Sequence, residues 1–252
     1  MIPGMSATTI DGVIDQLQDI VDTCIRTGSR LGYFAALYKR MTLAVKAGIQ
    51  RGAFQDAARI EALDVAFANR YLTTRAQYFA GESPGVSWLQ AYDAADSDAH
   101  IVLQHLLAGI NPHIMIDLGV AAARTCPGDQ LAGLATDFAT INDVIFSLMP
   151  VVDRELDALS PETAVIDREF GKVKDALIFA SMEKGRTSAW DFARSLAFLT
   201  PEQQASRIGA RDLEARLLGD VILAGNPIIA LVRHKESQDV AANIRQLDAP
   251  AS

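Results

Sequence analysis

Three of the four histidines, His100, His105 and His113, fall in one short and otherwise strongly apolar stretch of the chain. Burying polar side chains among apolar neighbours costs free energy unless hydrogen bonds or a ligand satisfy them. The stretch between Ala99 and Asp117 is therefore the predicted location of a functional site.

His113 and Asp117 are spaced so that both lie on one face of a helix, about one turn apart. An imidazole and a carboxylate at this spacing can both bind a metal ion, and His105, on the preceding predicted helix, would complete the set. The same pair suits a histidine that a carboxylate orients for general-base catalysis. The alternative is that these histidines have no chemical function. They would then be core residues that form hydrogen bonds with the backbone, and Asn111 would be only a helix cap.

Several arginines stand in apolar helical patterns, where a bidentate carboxylate partner is favoured. Arg70 follows Asn69 in the apolar run 63–72, and Arg30 begins the pattern that contains Tyr33. These residues are candidates for holding an acidic ligand. Structural ion pairs are the alternative, and the sequence favours that interpretation.

Glu183, Arg186 and Trp190 share one face of a predicted helix. Glu183 would supply a further metal-binding carboxylate or an acid–base group, and Trp190 would contact a substrate. An intrahelical pair between Glu183 and Arg186 is the simpler interpretation, worth a few tenths of a kcal/mol when exposed.

Composition narrows the class of protein. A net charge of −8 and a pI near 5.0 argue against nucleic acid or an anionic membrane as the main partner. The two cysteines, Cys24 and Cys126, exclude a disulfide framework and fit a reducing compartment. The beginning of the sequence lacks a signal-peptide pattern, and no window is apolar for long enough to span a membrane. We therefore expect a cytoplasmic protein without a membrane span, and its self-association stays open.

Apolar residues recur at helical spacing along almost the whole chain, whereas the alternation typical of strands is missing. The pattern predicts an all-α protein, a single-domain irregular bundle of roughly eight to ten helices. The domain should cover residues 8–235, with flexible termini at 1–7 and 236–252. Asn111 and Pro112 predict a helix restart, because asparagine is a good N-cap and proline is favoured at the first helical position.

Three runs carry a resemblance: GSRLGYFAALY at 28–38, LDVAFANRYL at 63–72 and LQHLLAGINPHI at 103–114. Together, and with the run 181–190, they resemble a helical family of bacteria and fungi known only as a domain of unknown function. The resemblance covers residues 8 to 235 and implies an all-helical fold without a named activity. This chain has Pro112 and Met115 where family members commonly have alanine and asparagine. If that asparagine is a ligand, its replacement weakens a metal site.

The leading hypothesis is a small-molecule enzyme with a largely apolar helical pocket, in which zinc or iron assists hydrolysis or a lyase reaction. A second hypothesis is a metal-free isomerase or cyclase of secondary metabolism that uses a His–Asp acid–base dyad. A third is a non-catalytic ligand-binding or interaction protein with structural histidines. The residues assigned to catalysis are His113, Asp117 and Glu183, those to metal binding His105, His113 and Asp117, and those to substrate binding Arg30, Tyr33, Asn69, Arg70, Asn111 and Trp190.

Overall fold

The computed structural model describes residues 6–147, 154, 158–159 and 173–249, apart from the side chains of 146, 173–183 and 228. Within this part of the chain all regular structure is helical and no strand occurs, so the predicted all-α fold is confirmed. In chain order the elements are α1 (Ile10–Thr27), α2 (Leu31–Gln50), α3 (Ala57–Phe79), α4 (Val86–Ala95), α5 (Val102–Pro112), a π-helical segment (His113–Leu118), α6 (Gly119–Thr125), α7 (Gln130–Phe146), α8 (Val173–Leu196), α9 (Pro201–Leu223), α10 (Pro227–Lys235) and α11 (Val240–Asp248).

Local signals set the ends of these helices. At the start of α1 the Thr9 hydroxyl accepts from the backbone N–H of Gly12, one of the unpaired donors of the first turn. The helix ends at Gly28, whose φ of 66° lies in the left-handed region that a side chain disfavours. At the start of α9, Thr200 and Gln203 form a reciprocal capping box beside Pro201. The sequence therefore specifies these boundaries locally.

Helix α5, the π-helical segment and α6 form one continuous helix, Val102–Thr125. The predicted restart at Asn111 is wrong, because the helix continues through this residue. The Asn111 side-chain amide instead donates to the Ala215 carbonyl on α9, 2.7 Å away. Pro112 lies inside the helix and lacks the N–H of a regular turn. The wider π turns begin directly after it.

This continuous helix is long and apolar enough to cross a membrane, judged by length and composition alone. Of its most apolar window, 78% is buried inside the protein. The helix packs against α2, α3, α4, α8 and α9. It is thus the central core helix of the array, and polar residues on it need partners inside the protein.

The structure differs from the sequence prediction at both ends. The carboxyl-terminal stretch, expected to be flexible, contains α11, which packs on α1 and α2 and buries Ile244 and Leu247 completely. Near the other end Ala7 is buried, and its backbone N–H and carbonyl both bond to the side-chain amide of Asn69. Asn69, predicted to bind substrate, therefore ties the start of the chain to α3.

Candidate functional site

Asp117 is completely buried on the π-helical segment and accepts from three side chains. Arg70 Nε donates to Oδ1 at 2.6 Å, Trp88 Nε1 donates to Oδ2 at 3.0 Å, and His113 Nδ1 lies 3.2 Å from Oδ2. Burial alone would raise the pKa of Asp117, but the charge of Arg70 and the contacts with His113 bring the pKa below its usual value. The carboxylate is therefore ionised. It forms an ion pair with the half-buried Arg70, for which the sequence favoured a structural role.

This carboxylate fixes the tautomer of His113. An ionised carboxylate only accepts hydrogen bonds, so Nδ1 must carry the proton that it shares with Asp117. Burial lowers the pKa of His113, although Asp117 acts in the opposite direction, and the imidazole is neutral at neutral pH. Its Nε2 atom then presents a lone pair.

Aromatic rings hold the imidazole in place. The His113 ring stacks on Phe67, with centroids 3.7 Å apart and planes 10° from parallel. Tyr38 meets it edge-on at 4.5 Å and Phe34 edge-on at 5.5 Å. A ring fixed by stacking and by Asp117 has little freedom to turn, so the direction of its Nε2 lone pair is fixed as well.

His113 lines a cavity, here called the His113 cavity, between α2, α3, the central helix, α7 and α8. About 60 Å³ of it can be reached by the centre of a water molecule, and its empty space with the opening is about 720 Å³. A single water needs roughly 10–15 Å³ by the first measure, so the cavity has room for a small ligand. Most of its lining is apolar: Phe34, Leu37, Met41, Val45, Leu63, Phe67, Ile110, Ile114, Leu118, Ile141 and Ile145.

Five polar side chains interrupt this apolar lining, and all except Thr42 carry atoms without a hydrogen-bond partner in the described part of the chain. These atoms are His113 Nε2, Tyr38 Oη, Asp64 Oδ2, and Arg186 Nε and Nη2. Buried polar groups in native proteins are almost always satisfied. Four side chains with unpartnered atoms therefore line the same cavity.

The four groups differ in protonation. Burial, and to a lesser extent the charge of Glu61, raises the pKa of Asp64 to about 7. Burial holds the pKa of the Tyr38 phenol well above its usual value, so the hydroxyl keeps its proton. Burial lowers the pKa of Arg186 to about 10, which still leaves a cation. The cavity therefore combines a lone-pair base, a hydroxyl donor, a carboxyl group that titrates near neutrality and a positive charge.

His105 lies two helical turns before His113 and faces different surroundings. It borders two small crevices with Arg30, while Phe34 separates the larger of these from the His113 cavity. Its ring centroid lies 5.8 Å from that of Tyr33. Burial, with the charges of His100, Arg30 and Arg233, lowers the pKa of His105 to about 3.

The predicted metal set of His105, His113 and Asp117 is therefore not assembled. Nowhere among the described residues do three His, Cys, Asp or Glu side chains converge in a way that could hold a metal ion. Asp117 already accepts three N–H donors. The predicted pairing of His113 with Asp117, in contrast, is present as expected from the sequence.

The other predicted substrate-binding residues have separate roles. Arg30 Nη1 donates to the Ala95 carbonyl at 3.4 Å, and Tyr33 accepts from Asn243 at 3.5 Å. Trp190 packs against Phe138, with ring centroids 4.9 Å apart. The Glu183 side chain lies outside the described part of the structure, so its predicted catalytic role and its pairing with Arg186 stay predictions.

Sequence reasoning gave no site role to four residues that contribute here: Tyr38, Asp64, Trp88 and Arg186. Asp64 and Arg186 carry a usable signal, because each is a charged residue at an apolar-face position. Tyr38 and Trp88 carry none, since aromatic residues at helical spacing are ordinary core residues.

The fold and the site define a class, a helical protein with a buried, carboxylate-oriented histidine at an internal cavity. Comparison with family models identifies the chain further. It belongs to the family described as "Family of unknown function (DUF5995)", whose model matches residues 10–225, as the resemblance indicated. Neither the curated proteins nor the solved structures contain a match to the chain.

Proposed function

We propose that this protein is an acid–base enzyme that isomerises or cyclises a small, largely apolar molecule in the His113 cavity. One observation carries the proposal: His113 Nε2 is unpartnered among the described residues, while Asp117 holds Nδ1. A neutral imidazole with an oriented carboxylate behind it is the arrangement that a general base requires.

The cavity supplies a group for each step of a proton transfer. His113 Nε2 takes a proton from a carbon next to a substrate carbonyl, and the C–H electron pair moves towards the carbonyl oxygen. The Tyr38 hydroxyl donates a hydrogen bond to that oxygen. Asp117 stabilises the imidazolium until the proton returns to a different atom. Nothing is gained or lost overall, so the isomerisation needs no co-reactant, and general-base catalysis of this kind contributes roughly 10²–10⁴-fold in rate.

Acid–base chemistry fits the site better than metal-assisted hydrolysis does. Asp117 already accepts from Arg70, Trp88 and His113, and a metal ion would compete with these donors for a carboxylate that is completely buried. His105, the third proposed ligand, lies beyond Phe34. Proton transfer uses the groups where they already stand.

Deuterium uptake tests the proposal. The protein is incubated in D₂O with octanone and with a keto-octanoate, and mass spectrometry measures exchange next to the keto group. We expect exchange above the buffer rate with at least one probe, and a loss of about 100-fold or more in His113→Gln. His105→Gln is the matched control, because it changes the other buried histidine of the same helix, and it should keep the parent rate. Exchange at the buffer rate with both probes, or at the parent rate in His113→Gln, would contradict the proposal.

A further inference from the structure

Arg186 is the one cation that lines the His113 cavity among the residues the structure describes. The residue is only 2% exposed. Its guanidinium lies over the Phe138 ring at 5.1 Å from the centroid. Within the described chain no carboxylate lies within ion-pair distance of it, and Nε and Nη2 have no hydrogen-bond partner. A buried charge in this condition is strongly unfavourable, so a function for it is to be expected.

The two unpartnered nitrogens belong to the same edge of the guanidinium group. Nε–H and one Nη2–H point from that edge in parallel, at the separation of the two oxygens of a carboxylate. An arginine that presents this edge binds a carboxylate in a bidentate manner, which a lysine cannot do. The free edge of Arg186 therefore specifies the shape of its missing partner as well as its charge.

We propose that the molecule bound in the His113 cavity is a small apolar monocarboxylate whose carboxylate is held by Arg186. The proposal rests on the proposed function, because it names the substrate class of the same site. One carboxylate balances the one arginine. A phosphate group would bring surplus negative charge into a wall that is almost wholly apolar, where unpaired charge is disfavoured.

The rest of the cavity fits the apolar end of such a molecule. Leu37, Met41, Val45, Ile141 and Ile145 form a wall without a polar atom in their side chains. Methionine adapts to the shape of its neighbour, so Met41 tolerates chains of different form. The enclosed volume is small and continues into the opening, and a chain of medium length suits both.

Isothermal titration calorimetry with octanoate and with neutral octanol tests the proposal. The parent protein should bind octanoate at least tenfold more tightly than octanol. Arg186→Met should weaken octanoate binding about tenfold or more, since a charge-assisted bond to a buried ion is lost, and should leave octanol binding within about twofold. Arg194→Met is the matched control, because Arg194 lies on the same helix with a side chain that is 68% exposed, and it should bind as the parent does.

Arg186→Lys keeps the experiment decisive if the methionine variant does not fold. Lysine retains the charge but cannot bind a carboxylate in a bidentate manner, so this variant should bind octanoate at least threefold more weakly than the parent does. Equal octanoate binding by the parent and these variants, equal binding of octanol and octanoate by the parent, or no binding of either would each overturn the proposal. Octanoate binding through Arg186 without deuterium exchange would overturn the proposed enzyme activity and leave the carboxylate site standing. Deuterium exchange without octanoate binding would overturn the carboxylate site and leave the proposed enzyme activity standing.

Discussion

The central helix carries two buried histidines, and their surroundings differ in almost every respect. His113 shares its proton with Asp117, stacks on Phe67, lines an apolar cavity and has an unpartnered Nε2. His105 has no carboxylate partner among the described residues and borders only small crevices. Phe34 lies between the two regions, and Gly109 makes room for it, because a β-carbon there would come within 2.6 Å of the ring.

Both histidines are buried and both have a lowered pKa, so neither property distinguishes a base from a core residue. The difference is the partner. A carboxylate behind the ring selects the tautomer and compensates the positive charge after proton transfer, and only His113 has one. A functional assignment for buried histidines should therefore rest on what the other ring nitrogen contacts.

Removal of Asp117 should have the largest effect on stability. Asp117→Ala leaves Arg70, Trp88 and His113 without their shared acceptor, and we expect the free energy of unfolding to fall by about 3–5 kcal/mol. Urea denaturation measures the change. Asp191→Ala is the control, because its ion pair with Arg194 is exposed and contributes less than about 1 kcal/mol. A similar loss in both variants would show that the hydrogen bonds of Asp117 stabilise the fold no more than the exposed ion pair does.

The stability of the protein should fall in acid because of His105. Its pKa in the folded state, about 3, lies below the value of 6.5 for a free histidine. The stability that neutral His105 contributes is present above pH 6.5 and is lost as the pH falls, because only the unfolded state then binds a proton. Between about pH 7 and pH 4.5 the parent should therefore lose about 2–3 kcal/mol more of its free energy of unfolding than His105→Gln loses.

The exposed His234 on α10 supplies the control for this experiment, and His234→Gln should keep the pH dependence of the parent. An unchanged acid dependence in His105→Gln would mean that His105 is accessible to protons in the folded state. That result would remove the contrast between the two histidines.

Asp64 should change the pH dependence of stability in the opposite direction. Its pKa in the folded state, about 7, lies above the value of 3.8 for a free aspartate. The folded protein therefore binds a proton that the unfolded chain releases, and this carboxyl group lowers stability as the pH rises from about 4 to about 7. Asp64→Asn should raise the free energy of unfolding by up to about 4 kcal/mol at about pH 8 and change it little near pH 4. Destabilisation at the higher pH would show that Asp64 has a partner in the folded state.

The sequence predicts the parts of this structure that depend on neighbours along the chain. Helical spacing of apolar residues predicts α1 with its buried Val13, Leu17 and Val21. The spacing of His113 and Asp117 predicts their contact, because a helix brings such residues together whatever surrounds it.

Contacts between residues that are far apart in the sequence cannot be predicted in this way. Arg70 and Trp88 reach Asp117 from two other helices, and no local pattern pairs them. The predicted restart at Asn111 fails for a related reason. Asparagine and proline favour helix starts, but packing stabilises the continuous central helix by more than this preference is worth. The Ala215 carbonyl on α9 accepts the hydrogen bond of the Asn111 amide.

The π-helical segment has a consequence for how this family can vary. A π turn holds one more residue than an α turn, so it corresponds to a single-residue insertion within a helix. Deleting one residue between His113 and Leu118 would restore regular α geometry in this turn and leave the helix on either side close to its present register, because the wider turn already absorbs the extra residue. A change in length within the regular α turns of the central helix would instead rotate everything after it by about 100°, so the π-helical segment is the one part of this helix, among its described residues, that accommodates an extra residue without altering its packing.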